Sequence, residues 1–230
     1  MKKFSLTTLL IIITLGFSSC TQDDNTLLEE PTAEDLLKSF NLNKSTNGDF
    51  SLDYQLGKNA ASDNVRDDKT NTNNIYLYSS EGAQRSSSNQ DLTIQNGELK
   101  VSFNDTEKDT KHTITVLDDD IKMRGEHNEY LKSYAFSGNG DGSYDLNFTV
   151  IEGVVVDFIY NDDTKVYEIH LKGEESASQS EFIQTFTKQE GLALEIQFFD
   201  NSDVNNAAGR STEPKEPNPV IIAEDDPELD

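Results

Sequence analysis

The feature that most constrains the fold of this chain is an alternation of apolar and polar residues that recurs between positions 49 and 200. Side chains two positions apart point to the same face of a β-strand, so each run predicts a strand with one buried and one solvated face. Proline is absent between these limits, and nothing there obstructs the hydrogen bonds of a sheet. The apolar members of five such runs are Phe50, Leu52, Tyr54 and Leu56; Leu99, Val101 and Phe103; Tyr144, Leu146, Phe148 and Val150; Val154, Val156, Phe158 and Tyr160; and Leu192, Leu194, Ile196 and Phe198.

The connections between these runs are short and rich in Asn, Asp, Ser and Gly. Asn96-Gly97 is a strong signal for a two-residue hairpin turn, and Glu152-Gly153 and Glu190-Gly191 are interpreted in the same way. Strands joined in short succession favour an antiparallel meander. We therefore predict an all-β domain over residues 49–200, formed as either a two-sheet β-sandwich or a lipocalin-like barrel.

Three segments of the chain resemble one another, since each begins at a glycine turn and continues as an alternating strand that ends near a Phe. They begin at Gly97, Gly153 and Gly191, and the spacings of 56 and then 38 residues fit no regular repeat. We interpret them as a recurring hairpin pattern rather than as a duplication. Residues 57–74 and 79–90 lack alternation and are expected to be irregular loops.

The stretch before the β domain, residues 20–48, is predicted to be a tether that contains one short N-terminal helix over residues 32–40. Thr32 can cap this helix, and Glu34 and Asp35 suit its first turn. The apolar residues that would share one helical face are Ala33, Leu36, Leu37 and Phe40.

The C-terminal segment, residues 201–230, contains four of the five prolines and many acidic residues. This composition is typical of an extended, disordered tail. One apolar segment interrupts it, Val220-Ile221-Ile222-Ala223. Two interpretations stay open for that segment: it adds a strand to a sheet edge, or it remains an unpaired apolar patch.

The N-terminus has the pattern of a secretory signal. Two lysines supply the positive start, an apolar run follows over residues 9–17, and Ser18-Ser19 precedes Cys20. The run is shorter than the roughly 20 apolar residues that a membrane-spanning helix needs. Ser18-Ser19-Cys20 resembles the lipobox of bacterial lipoproteins, and residues 1–19 are therefore expected to be a signal peptide that is removed before Cys20.

The resemblance to bacterial lipoproteins implies a diacylglycerol on the sulfur of Cys20. Gln22, Asp23 and Asp24, which follow it, resemble the export signal of surface lipoproteins of the Bacteroidota type. We therefore expect a cell-envelope protein that is lipid-anchored in the outer membrane, with exposure at the cell surface as a further expectation. Two or more acyl chains, stabilised by about 0.8 kcal/mol per buried CH₂, would hold it there.

The charge of the chain restricts its partners. It carries 43 acidic and 19 basic residues, a formal net charge of −24, and such a surface repels the phosphates of nucleic acids. The expected partners are the membrane, through the lipid anchor, and another protein of the envelope; nucleic acid is not expected. Cys20 is the only cysteine, which excludes an intrachain disulfide and a cysteine-rich zinc site.

One glycine-rich segment resembles Asp/Asn-Gly calcium loops, with Asn139, Asp141 and Asp145 as weak calcium candidates. An EF-hand loop needs a Glu at position 12. With Gly142 at position 6, Phe148 falls at position 12, and the match fails. A glycine-rich turn is the preferred interpretation, and we expect no metal or other cofactor.

The sequence contains no nucleophile elbow and no phosphate-binding glycine loop. The three histidines, His112, His127 and His170, lack the spacing of zinc ligands and are expected at the surface. We therefore expect a non-enzymatic binding or accessory domain. The alternative is a lipocalin-like carrier of a small apolar ligand, which an apolar cavity of about 300 Å³ or more would favour. A hydrolase whose site is not visible in the sequence comes third.

Overall fold

The computed structural model describes residues 36–84, 86–118, 130–200 and 219–225, all of which belong to one compact unit, Pro31–Asp230. The regular secondary structure of these described residues consists of fourteen β-strands. In chain order they are β1 (Leu37–Lys44), β2 (Phe50–Leu56), β3 (Ala60–Asp67), β4 (Thr72–Ser79), β5 (Ser87–Leu92), β6 (Glu98–Asp105), β7 (Thr110–Leu117), β8 (Leu131–Gly138), β9 (Ser143–Val150), β10 (Val154–Asn161), β11 (Val166–Gly173), β12 (Glu181–Thr187), β13 (Leu194–Asp200) and β14 (Val220–Asp225).

The strands form two open sheets. The six-stranded sheet has the order β12-β9-β8-β1-β2-β5, and the eight-stranded sheet has the order β10-β11-β13-β14-β7-β6-β4-β3. β4 and β6 are parallel neighbours, and β5, which lies between them in the sequence, belongs to the other sheet. β11, β12 and β13 repeat this arrangement. The chain therefore winds between the two sheets as in a solenoid.

The all-β prediction is confirmed, and the predicted connectivity is wrong. A simple antiparallel meander would contain no parallel neighbours, whereas two parallel pairs are present. Neither sheet closes on itself among the strands that the structure describes, and these strands do not form a lipocalin-like barrel. The winding is that of a solenoid rather than of a barrel or a simple β-sandwich.

The alternation seen in the sequence accounts for the core. Buried positions recur at every second residue along the whole of β2 and β9. The inward side chains of both sheets form one hydrophobic cluster, and the burial of each large apolar side chain contributes about 1.5–3 kcal/mol. The largest fully buried side chains include Tyr54, Tyr134, Phe136 and Phe198.

The two halves of the chain are structural repeats of seven strands each, β1–β7 and β8–β14. Residues with positive φ angles recur at a separation of 94 positions, as at Gly48 (84°) and Gly142 (81°). Hydrogen bonds recur at the same separation: Asn59 N–H donates to Ala83 O, and Gly153 N–H donates to Ala177 O. The other matched positions of positive φ are Asn59 and Gly153, Asn71 and Lys165, and Gly97 and Gly191.

Strand pairing follows the same repeat. β1 pairs with β2, and β8 with β9; β2 pairs with β5, and β9 with β12. The repeats meet where β1 pairs with β8 and where β7 pairs with β14, both antiparallel, so a pseudo-two-fold axis relates them. The interpretation as a hairpin pattern without duplication is wrong. Gly97 and Gly191 are equivalent turn positions, whereas Gly153 is equivalent to Asn59. The three similar segments that begin at these glycines therefore do not all begin at equivalent positions.

The predicted helix over residues 32–40 is wrong in the part that is described, because β1 begins at Leu37. Phe40 pairs with Tyr54 of β2 and with Gly138 of β8, and these two ladders outweigh the weak preference of a short segment for helix. Residues 32–35 lie outside the described residues. The folded domain therefore begins before residue 49, inside the predicted tether.

Three further segments differ from expectation. Residues 57–74 and 79–90 are not irregular loops, since they contain β3 and most of β5. Both are edge strands, which are held by backbone pairing and need no apolar alternation. The segment 220–225, inside the predicted disordered tail, forms β14 between β13 and β7. The strand interpretation of this segment is thus the correct one, although β14 lies inside the sheet and not at its edge.

Within the described ranges, no helix is long and apolar enough to cross a bilayer.

Candidate ligand-binding cleft

A cleft of about 1090 Å³ opens at one end of the domain. It is bounded by the start of β1, the β6–β7 turn, the β8–β9 turn and the loop after β12. The two repeats therefore both contribute to its walls. We call it the end cleft, and its defining residues are Phe40, Phe103, Asp105, His112, Gly138 and Tyr144, with Lys38, Lys108, Lys111 and Lys188.

The floor of the end cleft is aromatic. The Phe40 ring lies at its centre, 5.5 Å from the Phe103 ring and 6.0 Å from the His112 ring. The His112 ring stacks on Tyr144 at 6.2 Å, and Tyr144 stacks on Phe136 at 5.4 Å. The Phe40 ring is tilted against those of Phe103 and His112. Because Phe40 and Tyr144 expose only 5% and 8% of their surface, the floor offers ring edges to a ligand.

The rim of the end cleft is basic. Four lysines line it, against three acidic residues, so the lining is positive by one charge in a chain whose net charge is −24. A lining with a slight positive excess repels anions less than the remaining, strongly acidic surface does. The lysines are Lys38, Lys108, Lys111 and Lys188, and the acidic residues are Asp105, Asp109 and Glu190.

Asp105 places an unused acceptor in the wall of the cleft. Its residue is 5% exposed, and one carboxylate oxygen accepts the backbone N–H groups of Glu107 and Lys108. Its Oδ2 atom is buried and has no hydrogen-bond partner among the described residues. Asp105 pairs with Leu77, and Asp200 pairs with Leu171, the equivalent of Leu77, so Asp200 is the equivalent residue although the separation is 95 positions in these strands. Asp200 accepts the backbone N–H of Tyr130 at 3.0 Å. A buried acceptor without a donor is costly.

The opposite end of the domain is closed by a side chain. Lys44 of β1 stands where β8 has Gly138, and its Nζ lies 2.7 Å from Oδ2 of Asp118. The Tyr134 hydroxyl donates to the same oxygen at 3.3 Å. At the open end, Gly138 has no side chain, and a Cβ there would lie 2.1 Å from the Phe40 ring. The absence of a side chain at Gly138 thus makes room for Phe40 and for the end cleft.

The calcium candidates are occupied by contacts of the β8–β9 turn. Asn139 donates to Ser143 Oγ and to Asp145, each at 3.0 Å. Asp141 accepts both the hydroxyl and the backbone N–H of Ser143, which lowers the pKa of the Asp141 carboxyl below its ordinary value. Thr185 donates to Asp145. In the part of the chain that the structure describes, no three His, Cys, Asp or Glu residues are placed to hold a metal.

The matching turn of the first repeat has a similar backbone geometry. Gly48 has the same positive φ as Gly142, and the Ser45 hydroxyl accepts the backbone N–H groups of Asn47 and Asp49. Here a serine caps the turn where the second repeat uses Asn139. The preferred interpretation of a glycine-rich turn agrees with these contacts.

The two described histidines have different surroundings. His112 lies in the end cleft, where its ring contacts Phe40 and Tyr144. The sequence does not reveal these contacts, because the three residues come from distant strands. His170 stacks on Phe199 at 4.7 Å and lies 2.9 Å from Glu168. The pKa of Glu168 is lowered, first by a hydrogen bond from Asn161 and then by one from His170. His127 lies outside the described residues.

The lipidation candidate Cys20 and the export-signal residues Gln22, Asp23 and Asp24 also lie outside the described residues.

Comparisons with protein-family models, with curated proteins and with solved structures return no match. Functional inference for this chain therefore depends on its own residues and geometry.

Proposed function

We propose that the chain is a lipid-anchored cell-envelope protein that binds a small ligand in the end cleft and catalyses no reaction. The ligand class is an anionic molecule with an aromatic or apolar body. The observation that carries the proposal is the combination of an aromatic floor and a lysine rim in a strongly acidic chain.

Each part of the cleft recognises one part of such a ligand. The rings of Phe40 and Tyr144 pack against its apolar body, and the lysine rim attracts its anionic group. The rest of the surface repels anions, so the lysine rim gives specificity as well as affinity.

The proposal of a lipid anchor is supported by the signal-like N-terminus and by Cys20. A tether of about sixteen residues would join Cys20 to β1, and Leu37, at the start of β1, lines the end cleft. The cleft would then open at the end of the domain at which the tether joins it.

The second candidate is a carrier of a small apolar ligand. A volume of about 1090 Å³ exceeds the roughly 300 Å³ expected for a ligand site. The lysine rim favours a charged ligand over an apolar one, because burying an ammonium group against an uncharged ligand costs free energy.

A fluorescence titration with anilinonaphthalene sulfonate tests the cleft, since this probe has an apolar ring system and one anionic group. We expect saturable binding to the wild-type protein and a loss of at least about tenfold in affinity in the triple variant Lys38→Gln/Lys111→Gln/Lys188→Gln. The control is Lys165→Gln/Lys172→Gln, which removes two half-exposed lysines elsewhere. Equal affinity of the triple variant and the control would contradict the proposal.

Metabolic labelling with an alkyne fatty acid tests the anchor. We expect label on the wild-type protein in the membrane fraction, and neither label nor membrane association for Cys20→Ser. A labelled or membrane-bound Cys20→Ser protein would exclude the lipid anchor at this residue.

A further inference from the structure

The two sides of the domain differ although the repeats that form them are equivalent. On one side the outermost strands are β3 and β5, which we call the first-repeat side. On the other they are β10 and β12, which we call the second-repeat side. The equivalent positions of the two sides carry different residues.

The first-repeat side is polar and closed by hydrogen bonds. The Tyr54 hydroxyl lies 2.9 Å from Ser62 Oγ and donates to Asn64 at 3.0 Å. Arg66 of β3 donates to Asn71 and Asn73. The gap between the edges of the two sheets is therefore bridged by polar side chains.

The second-repeat side carries aromatic residues at the same positions. Phe158 replaces Asn64, Tyr160 replaces Arg66, and Phe182 replaces Ser88. The Phe148 ring, which stands where the first repeat has Tyr54, lies 6.1 Å from Phe158 and 5.3 Å from Phe182. Phe158 is 42% exposed, so an apolar gap remains open between β10 and β12.

Among the described strands, β10 is an edge strand with few protective charges. Natural edge strands usually carry charged residues or proline, because these residues prevent the free backbone groups of the edge from pairing with other strands. The charged residues of β3 are Asp63, Arg66 and Asp67, whereas the only charged residue of β10 is Asp157. The Asp157 carboxylate forms an ion pair with Lys172 at 2.9 Å. Ile159, on the other face of β10, is 48% exposed. The inner face of this edge is therefore apolar, whereas the outer face alternates Val155 and Ile159 with Asp157 and Asn161.

Acidic turns flank this apolar edge. Glu152 precedes β10, and Asp162 and Asp163 follow it. Lys165 lies 4.0 Å from Asp162, at the limit of an ion pair. A partner that covers β10 would meet negative charge at both ends of the strand. A second copy of this chain is a poor occupant, because each copy has a net charge of −24 and would present the same acidic turns.

We propose that β10 binds an extended segment of another protein, with alternating apolar residues in its middle and basic residues at both ends. The segment adds a ninth strand to the eight-stranded sheet. Its inward side chains fill the gap over Phe158 and Phe182, and its basic ends pair with Glu152 and with Asp162 and Asp163. This site is separate from the end cleft and does not depend on the function proposed for it.

The test uses a fluorescently labelled peptide with four Thr-Val pairs between two Lys-Lys ends, titrated against the full mature chain and followed by anisotropy. We expect saturable binding, and a loss of about tenfold or more in affinity for Phe158→Asn/Ile159→Thr. The matched control is Val65→Thr, which alters the equivalent position of β3 and should leave affinity unchanged. Far-ultraviolet circular dichroism and the urea midpoint check that each variant is folded.

Two outcomes would overturn the proposal. Equal binding by the β10 variant and the wild type would place the peptide elsewhere, and equal binding of a peptide with Glu-Glu ends would remove the charge argument. A concentration-dependent dimer that Phe158→Asn/Ile159→Thr abolishes, without peptide binding, would show that a second copy occupies the edge instead.

Discussion

The buried ion pair between Lys44 and Asp118 offers a quantitative test of how the closed end of the domain is held. The side chains are 9% and 0% exposed, and their charged atoms lie 2.7 Å apart. Lys44→Met would leave the Asp118 carboxylate buried without its ammonium partner, and breaking such a pair costs about 3–5 kcal/mol. With an m-value of about 2 kcal/mol/M, the urea midpoint should fall by roughly 1.5–2.5 M.

The double variant Lys44→Met/Asp118→Asn removes both charges and keeps an acceptor for the Tyr134 hydroxyl. Replacing a buried pair by uncharged groups is often neutral, so its midpoint should return close to that of the wild type. Lys172→Met is the control, because Lys172 and Asp157 are about half-exposed and solvent screens such a pair. If Lys44→Met unfolds at the wild-type midpoint, or if the double variant is no more stable than the single one, the assignment of a buried ion pair is refuted.

The remaining predictions concern Gly138 and Glu168. Gly138→Ala should lower the free energy of unfolding, measured in urea, by about 1–3 kcal/mol, because its Cβ overlaps the Phe40 ring. Phe40→Leu in the same chain should recover part of this loss. An unchanged urea midpoint for Gly138→Ala would contradict the packing of Phe40 against Gly138. The lowered pKa of Glu168 means that its contribution to stability is present above pH 4.5 and is lost as the pH falls through its folded-state pKa. The difference in Tm between wild type and Glu168→Gln should therefore shrink from pH 6 to about pH 3; a constant difference would contradict it.

Strand positions in the core were predictable because burial on one face of a strand leaves a period of two in the sequence. β2, β9 and β13 follow from this pattern. β3 and β5 do not, since edge strands have little to bury and their residues are polar. The sequence of β1 also fits a helix, because Leu36, Leu37 and Phe40 would share a helical face. Only the pairing of β1 with β2 and β8 decides between helix and strand.

The internal repeat was present in the sequence as the spacing from Gly97 to Gly191. It was obscured because the matched turns use different residues, with Asn59 standing where the second repeat has Gly153. The end cleft had no local signal, since Phe40, His112 and Tyr144 are brought together only by the strand order of two sheets. Lys44 and Gly138 occupy equivalent positions of the two repeats, and this equivalence is visible only when the repeats are superimposed.

The most direct test of ligand binding in the end cleft is a two-dimensional amide NMR titration of the mature protein with anilinonaphthalene sulfonate. We expect the signals of Phe40, His112 and Tyr144 to shift in a saturable way, while those of Lys44 and Asp118 at the closed end stay in place. Saturable shifts confined to other parts of the domain, or no shifts at the three cleft residues, would contradict it.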